Sequence, residues 1–465
     1  MPSPSRAPAP TDQQSTDATG TPAGPSWRPA LSGALQERAV ACARAVGLRL
    51  ADPERVLAAA AEAARGSHRF EFAGTSLACG FPSIALALLH LTRAWPGEGW
   101  EQRLHATLGL CARSTARSPL HGPGLYGGTG GLALVLAGAA ETEPRYAPTA
   151  LKVRAALLGQ VASGPWQSKP PADPGTYTKD HLYDVVTGAS GVLGALLATG
   201  VDDAAGEEAA GLLIRYLSGV AEGDGAGRLL SPADSVDPAL LEECPQGYLD
   251  LGTAHGAGGP LAALSLACRA GHRLPGQLQA VRALSDWVVE HRVQDPWGVN
   301  WPNHVGRHDP PGRGAAAGGP PSRAGWCYGA PGIAMALWHA GHALDAPELR
   351  RLAVEAVQSA LRRPVSERHI PSPSLCHGVA GLLMVCLRLA QDDPDSPLQD
   401  HVSSLTEQIL GLFDPAAPLC FRDEEQPGVF VDDPGFLTGA AGVALALLAA
   451  ATPVAPSWDR ALLMS

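Results

Sequence analysis

Residues 327–337 read CYGAPGIAMAL, a turn of small residues that runs directly into an apolar segment. The same arrangement, G-x-x-G or a near variant followed by apolar residues, occurs seven times. The other copies are CGFPSIALALL (79–89), YGGTGGLALVL (126–136), VTGASGVLGALL (186–197), AHGAGGPLAAL (254–264), CHGVAGLLMVCL (376–387) and LTGAAGVALALL (437–448). Successive copies are roughly 50 to 70 residues apart, a period typical of repeat architectures. The chain is therefore predicted to repeat one structural unit seven times.

Amphipathic segments lie between these copies, for example ELRRLAVEAVQSALR at 348–362 and the stretch 278–292. A helix that is apolar all round must be buried, whereas an amphipathic helix faces water on one side. The sequence therefore predicts an all-α fold, a double-layered α/α toroid of seven helical-hairpin repeats and fourteen helices. The glycines are expected to let neighbouring backbones approach closely where the ring narrows. An open solenoid is the alternative, but the lack of distinct capping repeats favours a closed ring.

Composition and charge narrow the function classes. The 465 residues are 45% hydrophobic but only 5% aromatic, which predicts a core of Ala, Leu and Val. A formal net charge of −11 disfavours nucleic acid and anionic membranes as partners, since their binding proteins usually carry a basic face. An acidic surface suits a basic peptide better.

Cysteine usage and hydropathy indicate the compartment. Nine scattered cysteines, an odd number, come without an export signal at the N-terminus, which predicts a reduced, cytoplasmic protein. No run reaches the roughly 18 apolar residues that a membrane span needs. The Ala-rich run at 440–451 is interpreted as a buried helix.

Two segments fall outside the repeat pattern. Residues 1–28 are rich in Pro, Ser and Thr and are predicted to be a disordered tail, which leaves 29–465 as the toroid domain. Residues 295–325 contain so many Pro and Gly residues that they are predicted to form a long irregular loop. Because that loop leads into Arg323 and Cys327, it is expected to border the functional face.

Several polar residues occupy equivalent positions of different repeats. Cys327 and Cys376 each stand two residues before the first glycine of their repeat, and His377 and His255 stand one residue before it. Equivalent positions of a closed ring lie at one end of it, so these side chains are expected to converge. Two thiolates and an imidazole suit zinc, and three protein ligands leave a fourth position open. Each cysteine alone is more typical of a core residue, but the shared position favours a metal.

The remaining candidates allow more than one interpretation. His255 lies among glycines, which favours a functional side chain over a packed core histidine. Asp184 precedes Gly188 by four residues and could either cap the next helix or orient His255. Arg323 is equally compatible with a solvated loop residue and with a functional one. Tyr328 is expected to contribute at least partly to packing.

Three motifs carry a resemblance to a known family. GTAHGAGG (252–259), RAGWCYGAPG (323–332) and CHGVAG (376–381) resemble those of the LanC lanthipeptide cyclases, and the resemblance extends from residue 31 to the C-terminus. It implies a double-layered α/α toroid with one zinc ion held by Cys327, Cys376 and His377. It also implies a catalytic set consisting of His255, Asp184, Arg323 and Tyr328.

The resemblance further implies an activity and partners. LanC enzymes add cysteine thiols of a dehydrated precursor peptide to dehydroalanine or dehydrobutyrine and so form thioether rings. The expected partners are that peptide, a separate dehydratase and an exporter complex, which would place the protein in the cytoplasm or beside a membrane-associated assembly. The alternative enzymatic activity is addition of a small thiol such as glutathione to the dehydrated residues.

Two other classes of protein are alternatives to a lanthipeptide cyclase. A prenyltransferase-like barrel shares the architecture, but its Asp-rich metal motifs are missing from the sequence. A peptide-binding scaffold with purely structural zinc would require a closed site with four protein ligands.

Overall fold

The computed structural model describes residues 27–67, 70–168, 170, 178–222, 229–231, 244–307, 322–393 and 396–465. Most of these residues are helical. The α-helices are α1 (Gly33–Leu50), α2 (Pro53–Gly66), α3 (Phe81–Ala94), α4 (Trp100–Arg117), α5 (Thr129–Thr142), α6 (Ala147–Ala162), α7 (Asp180–Tyr183), α8 (Ala189–Thr199), α9 (Ala204–Val220), α10 (Gly258–Arg269), α11 (Gln277–Glu290), α12 (Ala330–Ala343), α13 (Pro347–Arg362), α14 (Val379–Asp392), α15 (Val402–Gly411) and α16 (Ala440–Ala451).

Within the described chain, each of the seven glycine turns begins an inner helix. These inner helices are α3, α5, α8, α10, α12, α14 and α16. They are apolar on nearly every side; all twelve residues of α16, for example, are buried, as predicted for 440–451. Each packs against one amphipathic outer helix, the outer set being α1, α4, α6, α9, α11, α13 and α15. The predicted two layers of seven helices are confirmed, but the total of fourteen is too low, because α2 and α7 are further helices among the described residues.

The inner helices form a closed ring. Each contacts the next inner helix along the chain, and the last, α16, returns to contact the first, α3. Helix α1 provides the outer partner of α16, so the two ends of the chain complete the same repeat. Closure leaves no exposed terminal repeat, and the open-solenoid alternative is wrong.

The glycines of the turns were expected to make room for the backbones of neighbouring helices, but their tightest contacts are within their own turns. A Cβ on Gly332 would lie 1.9 Å from the carbonyl oxygen of Trp326, six residues earlier in the same turn. The corresponding glycines of other repeats, Gly191, Gly381 and Gly442, meet the carbonyl six residues before them in the same way. The close approach is therefore between each inner helix and its own turn more than between neighbouring helices.

Short antiparallel strands interrupt the helical pattern. They are β1 (Leu230–Ser231), β2 (Tyr248–Asp250), β3 (Val293–Asp295), β4 (Gly298–Asn300), β5 (His304–Gly306), β6 (Asp423–Gln426) and β7 (Val429–Val431). They pair as β1–β2–β5, β3–β4 and β6–β7. The prediction of an irregular loop over 295–325 is thus wrong for 295–306, because Pro296–Trp297 forms a tight turn that lets β3 and β4 pair. Residues 308–321 of that segment lie outside the described chain.

The two ends of the described chain pack into the toroid. The predicted tail, 1–28, lies outside the described residues except for Trp27 and Arg28; Trp27 is buried and its indole N–H donates to Ala449 O at 2.8 Å. Near the C-terminus, a 3-10 helix at Ser457–Leu462 is largely buried. Its carbonyls accept hydrogen bonds from Tyr126 and Trp326, which belong to two different turns.

Among the described residues, no helix is both long enough and apolar enough to cross a membrane.

Candidate metal centre

Backbone hydrogen bonds join the seven turns into a ring at the mouth of the toroid. In every repeat the residue two positions before the first glycine offers its carbonyl to a backbone N–H of a neighbouring repeat. Going round, the bonds are Leu77 N to Tyr126 O, Tyr126 N to Val186 O, Val185 N to Ala254 O, Thr253 N to Cys327 O, Cys327 N to Cys376 O, Cys376 N to Leu437 O and Phe436 N to Ala78 O. Equivalent positions do meet at one end of the ring.

Cys327 and Cys376 are therefore neighbours in this ring. The Cys327 N–H donates to the Cys376 carbonyl at 3.1 Å, which brings two thiols from adjacent repeats to one place. The sulfur atoms of both cysteines and a ring nitrogen of His377 all lie within 4.8 Å of one another. Cys327 is 6% exposed, and the other two side chains are partly exposed on the mouth side.

The two thiols perturb each other's ionisation. The pKa of Cys327 is lowered to about 7, mainly because the Cys376 thiol donates a hydrogen bond to it, and the charges of His377 and Arg323 help to offset the cost of burial. The pKa of Cys376 is raised well above its usual value by that same bond and by burial. One thiolate thus forms readily, and a second needs a further positive charge nearby. A dication supplies that charge, so this donor set fits zinc.

His255 and Asp184 form a second polar group in the turns of repeats four and three. The Asp184 carboxylate lies 2.9 Å from His255 Nδ1, and Asp184 is 2% exposed. This hydrogen bond, with the negative charge of Asp184, raises the pKa of His255 against the opposing effect of burial. The other oxygen of Asp184 accepts from the backbone N–H groups of Thr187 and Gly188 at 2.8 and 2.7 Å. The geometry therefore makes Asp184 a partner of His255. The N-cap residue of α8 is Gly188 and no side chain caps that helix, so the interpretation of Asp184 as the helix cap is wrong.

Tyr328 is fixed by a buried carboxylate. Its hydroxyl donates to Asp250 Oδ2 at 2.8 Å, and a Cβ on Gly252 would lie 2.6 Å from its ring. Burial and the adjacent Asp250 raise the pKa of Tyr328 far above its usual value, so the hydroxyl remains a neutral donor. The expected packing role of Tyr328 is present, together with a polar contact.

A cavity of about 710 Å³ opens beside the cluster, on the side of repeats six, seven and one. Its wall includes Cys376, His377, Arg323 and Cys79, together with the β6–β7 hairpin. His255 belongs to repeat four, on the other flank of Cys327 in the hydrogen-bonded ring. The cluster thus stands between the cavity and the His255–Asp184 pair. Arg323 lines this cavity, and its charge helps to lower the pKa of Cys327.

Sequence reasoning missed three buried carboxylates around this site. Asp250 and Asp433 each stand six residues before the first glycine of their repeat, and each accepts a hydrogen bond from the glycine N–H two residues later. Burial raises the pKa of both, to about 6 for Asp433. Their shared offset, D-x-G, is a repeat signal that could have revealed them. Asp423, which lies 3.3 Å from His377 Nε2, belongs to the β6–β7 hairpin and has no such signal.

The fold and site together define a class: a closed helical toroid with two thiols and one imidazole gathered at its mouth. The sequence profile of the family described as "Lanthionine synthetase C-like protein" matches residues 71–463. The chain belongs to this family, and the resemblance seen in the motifs is confirmed.

Individual relatives agree with this assignment. The chain is 24% identical over 359 residues to a protein of Lactococcus lactis subsp. lactis named "Nisin biosynthesis protein NisC", covering 74% of this chain and 82% of that protein. A solved structure named "Nisin cyclase" matches with a TM-score of 0.70 at 22% identity, covering 88% of this chain and 96% of the other. The structural likeness supports the toroid fold.

Proposed function

We propose that the protein is a zinc-dependent lanthionine cyclase, which adds cysteine thiols of a dehydrated precursor peptide to dehydroalanine or dehydrobutyrine. The observation that carries the proposal is the cluster of Cys327, Cys376 and His377, whose donor atoms lie within 4.8 Å of one another. Membership of the lanthionine synthetase C-like family supports a thioether-forming reaction. The zinc requirement and the identity of the thiol are the proposed elements.

The three side chains would hold one zinc ion. A free thiol has a pKa near 8.5 and is mostly protonated at neutral pH; bound zinc would convert a substrate thiol to the thiolate, and sulfur ligands would leave that thiolate nucleophilic. Among the described residues the cluster contains three donors, one fewer than a closed tetrahedral site has. An open position favours a reacting site over a structural staple.

His255 is the proposed acid. Addition forms a carbon–sulfur bond at the β-carbon of the dehydroamino acid and breaks the carbon–carbon π bond, which leaves an enolate that takes a proton at the α-carbon. The pKa of His255 is raised by Asp184, so the imidazolium persists nearer to neutral pH and can donate that proton. The thiol proton that is lost can return to the histidine, so the cycle balances.

Arg323 and Tyr328 have supporting roles in the proposal. Arg323 borders the cavity beside Cys376 and His377, where its guanidinium would stabilise negative charge that develops on the substrate carbonyl. Tyr328 remains protonated and is fixed by Asp250, so it would act as a neutral donor at the edge of the site. These two assignments extend the roles that the family motif implies.

The size and charge of the cavity favour a peptide as the substrate. A volume of about 710 Å³ exceeds what a single side chain fills, and Glu71, Glu424 and Glu425 are among the residues that line it. A peptide with basic residues would complement this wall. We place the enzyme in the cytoplasm, downstream of a separate dehydratase and with an exporter complex as a further partner. Glutathione addition is the competing activity.

Incubating the zinc-loaded protein with a synthetic peptide that contains one dehydroalanine and one cysteine tests the proposal. We expect the free thiol to disappear without a change in peptide mass, because an intramolecular addition forms the ring. The Cys376→Ala variant should lose both zinc and ring formation. His255→Ala should keep zinc and lose about 10²-fold or more in rate, as expected for a missing general acid.

Glutathione in the same reaction separates the competing activity. Transfer of glutathione to the dehydroalanine, with the peptide cysteine left free, would show that the enzyme adds small thiols and is not a cyclase. Ring formation at an undiminished rate in Cys376→Ala would refute the proposed zinc chemistry. Glu141→Ala changes an exposed residue away from the cluster. It serves as the control and should form rings at the rate of the unchanged protein.

A further inference from the structure

Asp423 is a buried carboxylate whose position the fold alone leaves unexplained. Its side chain is 4% exposed, and its Oδ1 atom is buried without a hydrogen-bond partner among the described residues. A buried polar atom without a partner costs roughly 1–3 kcal/mol. A residue that served only the packing of the hairpin would avoid this cost by being apolar.

Among the described residues, the side chain of Asp423 makes one hydrogen bond, and its partner is His377 of the proposed metal cluster. Its Oδ2 atom lies 3.3 Å from Nε2 of His377, across 46 residues of sequence. A carboxylate accepts only, so the Nε2 atom must carry the proton. This bond leaves Nδ1 as the ring nitrogen with a free lone pair, available to the group that contains Cys327 and Cys376.

The hairpin that carries Asp423 is attached to the turn that carries His377. The N–H of Glu424, the next residue, donates to Ser372 Oγ at 2.8 Å, and Ser372 opens the turn that leads to Cys376. Asp423 itself pairs with Val431 across the β6–β7 ladder. These two attachments fix the distance between the carboxylate and the imidazole.

We propose that Asp423 is a positioning residue of the metal centre, which holds His377 in the tautomer and orientation that present Nδ1 to the metal. The inference rests on the proposed zinc site and deepens it. A carboxylate on the remote nitrogen of a ligand histidine fixes the ring and strengthens its donor nitrogen, and its removal typically weakens metal binding 10–100-fold. The carboxylate is hydrogen-bonded to His377 and reaches Cys376 through its charge, so the orienting effect is exerted on His377.

Zinc affinity of Asp423→Asn, measured by competition with a chromophoric chelator, tests this inference without any peptide substrate. We expect a loss of about 10–100-fold relative to the unchanged protein. Asp433→Asn is the matched control, because Asp433 is also buried beside the site but bonds to Gly435 and Thr438 rather than to a proposed ligand. Asp433 acts on His377 through its charge and not through a hydrogen bond, so its replacement should weaken zinc binding far less than Asp423→Asn.

The same substitution made in a protein that already carries a changed ligand distinguishes positioning of His377 from a general loss of structure. In His377→Cys the ligand has no ring nitrogen to orient, so adding Asp423→Asn should not weaken zinc further. An equal loss in both backgrounds would show a structural role and overturn the inference. Absorption bands of the cobalt-loaded protein give an independent reading, and they should shift in Asp423→Asn but not in Asp433→Asn.

The outcomes separate this inference from the proposed function. Unchanged zinc affinity in Asp423→Asn, with zinc lost in Cys376→Ala, would overturn the positioning role alone. Zinc retained in Cys376→Ala would overturn the zinc site and the positioning role together.

Discussion

Asp184 uses its two carboxylate oxygens for different tasks. One accepts from the backbone N–H groups of Thr187 and Gly188, the last two residues before α8, and the other holds His255 Nδ1. The first task fixes the position of the carboxylate, and the second transfers that fixed position to the imidazole. Asp184 thus fastens its own turn and holds the imidazole of His255, and the first contact makes the second rigid.

The pH dependence of the reaction tests the second task. Asp184 raises the pKa of His255, and a histidine that acts as an acid loses activity as pH rises through its pKa. In Asp184→Asn the alkaline loss of activity should therefore begin at lower pH than in the unchanged protein. The ring-forming rate as a function of pH is the measurement.

Asp180→Asn is the control for that profile. Asp180 is half exposed and makes only a weak electrostatic contribution to His255, so its profile should stay in place. An alkaline limb that does not move in Asp184→Asn would remove His255 from the role of acid.

The site residues differ in how far sequence could predict them. Cys327 and Cys376 share one repeat position, His377 occupies the next one, and closure of the ring brings these positions together. His255 follows by the same register. Asp423 has no equivalent in other repeats and reaches His377 from a hairpin, so only the three-dimensional structure could reveal it.

At the scale of elements, the turn before each inner helix has two roles: it packs against the start of that helix, and it holds residues of the site. The turn folds back on the first turn of its helix so tightly that Gly332 has no room for a Cβ atom, which would also lie 2.5 Å from Thr253 Oγ1. The same turn carries Arg323, Cys327 and Tyr328. The same turn conformation therefore packs the start of the helix and places the site residues.

Gly332→Ala should consequently be strongly destabilising. Overpacking at this point should reduce the free energy of unfolding by about 2 kcal/mol or more, measured by urea denaturation, and should weaken zinc binding because Cys327 shifts. Gly159→Ala is the control: Gly159 lies in α6 with open space around its Cβ position, so alanine there should stabilise the helix by about 0.4–1 kcal/mol. Equal stability of the two variants would contradict this account of the turns.

Helices were predictable where strands were not. The segments at 348–362 and 278–292 correspond to α13 (Pro347–Arg362) and α11 (Gln277–Glu290), because several turns of amphipathic pattern accumulate a clear periodic signal. The strands span two to four residues each, too few for alternation to stand out. In 295–306 the Pro and Gly content, which indicated a loop, instead marks the tight turns between the strands.

For the whole molecule, closure of the ring creates the site. Seven carbonyl groups at equivalent positions join all repeats, and the return of α16 to α3 brings repeats seven and one to the cavity wall beside Cys376. Sequence predicted the repeats and the closed architecture. It could not predict the cavity, because the hairpin β6–β7 and the side chains of separate repeats form that wall only after closure.

X-ray absorption at the zinc edge counts the sulfur ligands and so measures whether this site binds a substrate thiol. In the zinc-loaded protein we expect two sulfur ligands with the remaining ligands nitrogen or oxygen, and three sulfur ligands once a cysteine-containing peptide is added. A sulfur count that stays the same on addition of the peptide would contradict the claim that this site activates a substrate thiol.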